Sequence, residues 1–102
     1  MAKVDKQNRL VVPQSLIQIS RTDFSKDVRL FLCGKELFLD NPSPKNSRRN
    51  CLGEVIIDEH SRFFVPKLAR ELLNLKPGDN ISFYVRNDRV TFKKVLFIPE
   101  NR

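Results

Sequence analysis

A chain of 102 residues, 40% hydrophobic and with eight Phe, is long enough to fold around one core and too short for two. No apolar run approaches the ~20 residues that cross a bilayer, and the N-terminal stretch lacks the charged and apolar regions of a secretory signal, so a cytoplasmic protein is expected. The net charge of +7 points to a polyanion as partner, with 10 basic and 5 acidic groups in residues 1–50 against 9 and 7 in residues 51–102.

Residues 3–5 and 10–12 are short runs with β-branched side chains around the polar Lys6, Gln7 and Asn8, which predicts two strands joined by a turn. Pro13 ends the second strand and stands where a first helical residue needs no N–H. Residues 14–20 are then expected to make about one and a half helical turns that stand only by packing. A strand over 28–32, a tight turn at Gly34 and Lys35, and a return over 36–39 make a hairpin. Residues 41–53 hold two prolines and three cations with no acid, which predicts a linker that connects without packing.

The second half is expected to carry strands over 54–58 and 62–65 and a helix over 66–73. Leu68 with Leu72, and Ala69 with Leu73, stand four apart and give that helix one apolar face. Pro77 and Gly78 occupy the centre of a type II turn. Strands over 80–86 and 89–94 flank Asn87 and Asp88, both able to take the positive φ of a two-residue hairpin. The order of elements thus occurs twice. At an offset of 53 residues the halves align without a gap from Val4 with Ile57 to Asp40 with Lys93. Asp5 meets Asp58, Arg9 meets Arg62, Val12 meets Val65 and Pro13 meets Pro66. Apolar positions that read as buried match more widely, including Leu10 with Phe63, Val11 with Phe64, Leu30 with Phe83 and Leu37 with Val90. Such a repeat predicts one domain over 1–102, built from copies at 3–40 and 54–95 joined by linker 41–53.

Asp-x-x-x-Arg-x-x-x-Pro after a short strand, a short helix, a Leu-x-Pro-Gly-Asp turn and a hairpin ending in Lys-Lys resembles the AbrB/SpoVT family of bacterial DNA-binding regulators. Residues 55–95 match throughout, and V-D-K-Q-N-R-L-V-V-P matches closely as far as Pro13. The resemblance implies a mostly β fold with two short helices, a swapped-hairpin barrel with internal pseudo-twofold symmetry completed within one chain. The MraZ regulators are similar in their tandem arrangement. It further implies a cytoplasmic, nucleoid-associated transcription regulator that binds double-stranded DNA and needs no cofactor. Family members often have Gly before the motif arginine, where Asn8 and Ser61 stand here. Helix cations are also unequal, since Arg70 faces Ile17 across the repeat.

Two roles are open to Arg9 and Arg62: guanidinium forks toward phosphates or guanine edges, or clamps on Asp5 and Asp58 across their own turns. Lys3, Lys67 and Arg70 are candidates for phosphate contacts, as are Lys45, Arg48 and Arg49 in the linker, against the reading of all six as solvated cations. Phe64 or Tyr84, if turned outward, offers a ring to a base. The residues do not suggest an enzyme: His60 is the only histidine and has no cysteine at metal-site spacing, Gly34, Gly53 and Gly78 form no phosphate loop, and Asp5 and Asp58 read as turn stabilisers. Cys33 and Cys51 make no disulfide framework. The alternative to DNA binding is a protein-interaction module, antitoxin-like or a scaffold, that uses the barrel and residues 96–98 of the apolar ending at 95–99. The same ending is a candidate contact in a homo-oligomer.

Overall fold

The computed structural model describes residues 2–46 and 50–96. In chain order the elements are β1 (Ala2–Lys3), β2 (Arg9–Val11), α1 (Gln14–Ile19), β3 (Val28–Cys33) and β4 (Glu36–Asp40). They continue as β5 (Cys51–Val55), β6 (Arg62–Phe64), α2 (Lys67–Leu72), β7 (Asn80–Arg86) and β8 (Arg89–Lys94). Each helix starts directly after a proline, which corrects the expected first helical position to the N-cap: Pro13 and Pro66 have φ of −60° and −55° but extended ψ of 128° and 144°. Both hairpin turns use positive φ, at Gly34 in one and at Asn87 and Asp88 in the other. Gly78, at φ 92°, holds the type II position that the Pro-Gly pair predicts.

Six strands form one antiparallel sheet in the order β1-β7-β8-β4-β3-β5, and β2 pairs with β6 in a separate two-stranded ribbon. Exchanging first-half strands for their second-half counterparts turns that order into its own reverse. Four pairings, β1 with β7, β3 with β5, β4 with β8 and β2 with β6, join the two halves of the chain.

The sheet is open, which corrects the expectation of a closed barrel. β1 makes only two ladder pairs before the chain turns at Asp5 into the ribbon, and β1 and β5 end at opposite edges. Between ribbon and sheet lies one cluster of buried apolar side chains. Leu10 and Phe63 come from the ribbon, Leu30, Leu37 and Leu39 from β3 and β4, and Ile81, Val90 and Phe92 from β7 and β8. Each fully buried side chain of this kind contributes ~1.5–3 kcal/mol relative to exposure.

Three further expectations are corrected. Residues 41–53 do not merely connect. β5 begins at Cys51, and the Asn46 side chain donates to Asp40 Oδ2 at 3.0 Å and accepts from Arg89 Nη1 at 3.1 Å. The Asp40 carboxylate and the Arg89 guanidinium supply partners that the linker's composition alone does not reveal. Of the apolar positions expected on one face, only Ala69 of α2 and its C-cap Leu73 pack on the core, while Leu68 and Leu72 are 50% and 52% exposed, because a six-residue helix buries one narrow stripe. Val11, matched to Phe64 among the apolar positions, points outward with it, at 52% and 62% exposure. Of the apolar ending, the Val95 N–H bonds Asn80 O at 2.9 Å, prolonging the pairing of β8 with β7. Residues 97–102 lie outside the described residues.

Among the described residues no helix is long and apolar enough to cross a membrane. Cys33 and Cys51 are free thiols.

Candidate nucleic-acid interface

Asp5 opens the turn from β1 to β2 and organises it. Its Oδ1 accepts from the backbone N–H of Gln7 and Arg9, both at 2.8 Å, and its Oδ2 accepts from Arg9 Nε at 2.8 Å. Asp58 repeats the arrangement between β5 and β6, taking the N–H of His60 at 2.8 Å and of Arg62 at 2.9 Å on Oδ1, and Arg62 Nε at 2.8 Å on Oδ2. A short acceptor at the first position and a guanidinium four residues on thus lock a turn whose backbone must also pass through positive φ. Asn8 and Ser61 supply it, at 63° and 61°. Desolvation raises the Asp5 pKa, but the bonds from Arg9 and Gln7 outweigh it and hold the carboxyl below its ordinary value of 3.8. The Asp58 carboxyl is held low first by the Arg62 N–H, against desolvation.

Clamping by Asp fixes each guanidinium through Nε alone. Its two terminal nitrogens, with four N–H groups, have no hydrogen-bond partner among the described residues. The two roles open to these arginines are therefore compatible, one nitrogen holding the turn and the terminal nitrogens left for a ligand.

Ribbon register decides which side chains share a face. Arg9 stands opposite Phe64, Leu10 opposite Phe63 and Val11 opposite Arg62. Since strand side chains alternate, Leu10 and Phe63 go down into the core while Arg9, Val11, Arg62 and Phe64 come up. The outward face holds two guanidinium groups on one diagonal and two apolar side chains on the other. The Arg9 guanidinium carbon lies 5.8 Å from the centroid of the Phe64 ring.

Cross-strand hydrogen bonds tie each end of the ribbon to a helix from the other half. The Val65 N–H reaches Asn8 O at 2.9 Å, so the start of α2 lies beside the Asp5 turn. The Val12 N–H reaches Ser61 O at 2.8 Å, and Gln14 Nε2 reaches Ser61 Oγ at 2.8 Å, so the start of α1 lies beside the Asp58 turn. Lys67 is exposed at the first position of α2. Arg70 is part-buried and donates from Nε to Val65 O at 3.1 Å, which fixes its stem against the ribbon. Lys3 is exposed on β1, two residues before the Asp5 turn. Arg48 and Arg49 lie outside the described residues.

Several other cations are engaged elsewhere, whereas Lys6 is exposed in the Asp5 turn itself. Arg21 pairs with Asp88, Arg29 with Asp27, Arg86 with Glu36, Arg89 with Asp40 and Lys94 with Asp79, at 3.0–3.8 Å. Tyr84 lies on the outer face of the sheet with its hydroxyl buried, so it is not an open platform for a base. Val11 is the site residue that sequence reasoning missed. Its signal was in the strand alternation, because Leu10 and Val12 on either side both face inward. Among the described residues no three His, Cys, Asp or Glu side chains are grouped to hold a metal.

Comparison with models of known families, with curated proteins and with solved structures found no match.

Proposed function

We propose that the chain is a bacterial transcription regulator that binds double-stranded DNA with the outward face of the β2–β6 ribbon, within a pseudo-twofold, swapped-hairpin arrangement of the AbrB type. The exchange of strands between the halves supports the fold assignment, since each half lends an edge strand to the hairpin of the other.

The observation that carries the functional reading is the pair of Asp-clamped arginines on one face of a two-stranded ribbon. Such a ribbon fits the major groove, where guanidinium forks meet phosphates or guanine edges and apolar side chains meet thymine methyl groups. Clamping lowers the entropy lost when the forks engage, because the stems are already held. Lys3, Lys67 and Arg70 add phosphate attraction from the flanks.

The test is binding to a mixed-sequence duplex by fluorescence anisotropy, comparing the wild type with the Arg9→Gln, Arg62→Gln double variant well below the melting temperature of each. The reading expects about a tenfold or larger loss; unchanged affinity overturns it.

A second reading, a protein-interaction module, is favoured by Leu68 and Leu72 standing exposed on α2 with Ile19 at the matching position of α1. It predicts that Leu68→Ser with Leu72→Ser abolishes self-association or partner binding and leaves any DNA affinity unchanged.

A further inference from the structure

The strand pairing gathers charge that the linear sequence disperses. Each end of the ribbon combines the turn of one half with the helix of the other. The end at the Asp5 turn therefore receives Lys3, Lys6 and Arg9 from the first half and Lys67 and Arg70 from the second. Against them stand Asp5, already clamped on Arg9, and Glu71 on α2.

The end at the Asp58 turn has the same geometry and a different charge. Ile56 stands in place of Lys3, Glu59 in place of Lys6, Gln14 in place of Lys67 and Ile17 in place of Arg70. Among these positions, all within the described residues, Arg62 alone carries positive charge, and Asp58 and Glu59 offset it. The apolar partners differ too, since the exposed Phe64 ring lies at the first end and the smaller Val11 at the second.

We propose that duplex DNA docks on one end of the ribbon only, the end formed by the Asp5 turn and α2, so that the bound site has a direction and is not a palindrome. This rests on the DNA-binding reading. Five cations stand on the strand, turn and helix that meet at the first end, while the twin end offers a phosphate one guanidinium beside two carboxylates. A polyanion is attracted to the first end and repelled or ignored by the second. Phe64 then lies beside Arg9 at the docked end, as the apolar contact to a base edge.

The test uses the full chain and a mixed-sequence duplex, with affinity measured over a range of salt. Lys6→Gln and Lys67→Gln change exposed side chains and leave the fold intact. Each is expected to weaken binding several-fold and to lower the slope of log affinity against log salt by about 1. Glu59→Gln is expected to leave the slope unchanged, and Arg9→Gln to weaken binding at least several-fold more than Arg62→Gln.

Equal losses for Arg9→Gln and Arg62→Gln would mean that both ends dock alike, and an unaltered slope for both lysine variants would mean that the Asp5 end meets no phosphates through them; either overturns the one-ended site while DNA binding stands. A wild-type chain that binds no duplex overturns both readings.

Discussion

At the residue scale, two Asp-Arg pairs shape the candidate site, and their chemistry predicts how the molecule responds to acid. Asp5 and Asp58 have folded-state pKa values below their ordinary value of 3.8, as has Asp79, held first by the Lys76 N–H and then by Lys94. The unfolded chain therefore takes up protons first as pH falls. Their contribution is complete above about pH 5 and is lost as pH drops through the folded values. The melting temperature is expected to fall between about pH 4 and pH 2, and Asp58→Asn to flatten that fall while lowering stability at neutral pH; scanning calorimetry across pH checks both.

Ser61 is a second residue-scale feature. Its left-handed backbone costs about 1 kcal/mol, and its Oγ accepts a bond from Gln14 worth a similar amount. Ser61→Ala keeps the backbone cost and loses the bond, so thermal denaturation should show about 1 kcal/mol less stability. Ser61→Gly removes both and should come out near neutral. The spacing of Asp and Arg made the clamp legible in the sequence. The positive φ at Ser61 was legible only through the resemblance, because serine has no intrinsic preference for it.

At the scale of elements, most strands and both helices follow from local pattern. β7 and β8 occupy the expected residues, and the helix starts are set by Pro13 and Pro66. What local pattern did not contain is the partner of each element. Residues 41–53 read as a linker because Pro, Ser and Asn dominate, yet Asn46 bonds both Asp40 just before it and Arg89, which is distant in sequence. Asn46→Ala is expected to cost about 1 kcal/mol, mostly through the unpaired Arg89 and Asp40 groups, as read by chemical denaturation.

The exposure of Leu68 and Leu72 has the same origin. Helical periodicity marks a broad apolar face, and only tertiary packing decides how much of it is covered. Leu72→Ser should change folding stability by no more than ~0.5 kcal/mol, as expected of an exposed position. Gel filtration of the same variant shows whether that leucine holds copies together.

At the scale of the whole molecule, the repeat was legible because the same apolar and turn positions recur at a fixed offset. The distribution of charge was not. Counting along the chain puts most of the surplus in the first half, whereas the pairing of β2 with β6 brings the first-half turn and the second-half helix to one end. The open sheet was equally hidden, since closure depends on whether β1 and β5 meet, and no local pattern reports on that.

The central claim is that this surface binds duplex DNA. It is tested most directly by fluorescence anisotropy of the wild-type chain with a mixed-sequence duplex, titrated with salt. The account predicts measurable binding at ~50 mM salt and a log-log slope of about −4.5, since about five cations each release roughly 0.9 of a counterion. Absence of binding at that salt, where attraction is strongest, would contradict it.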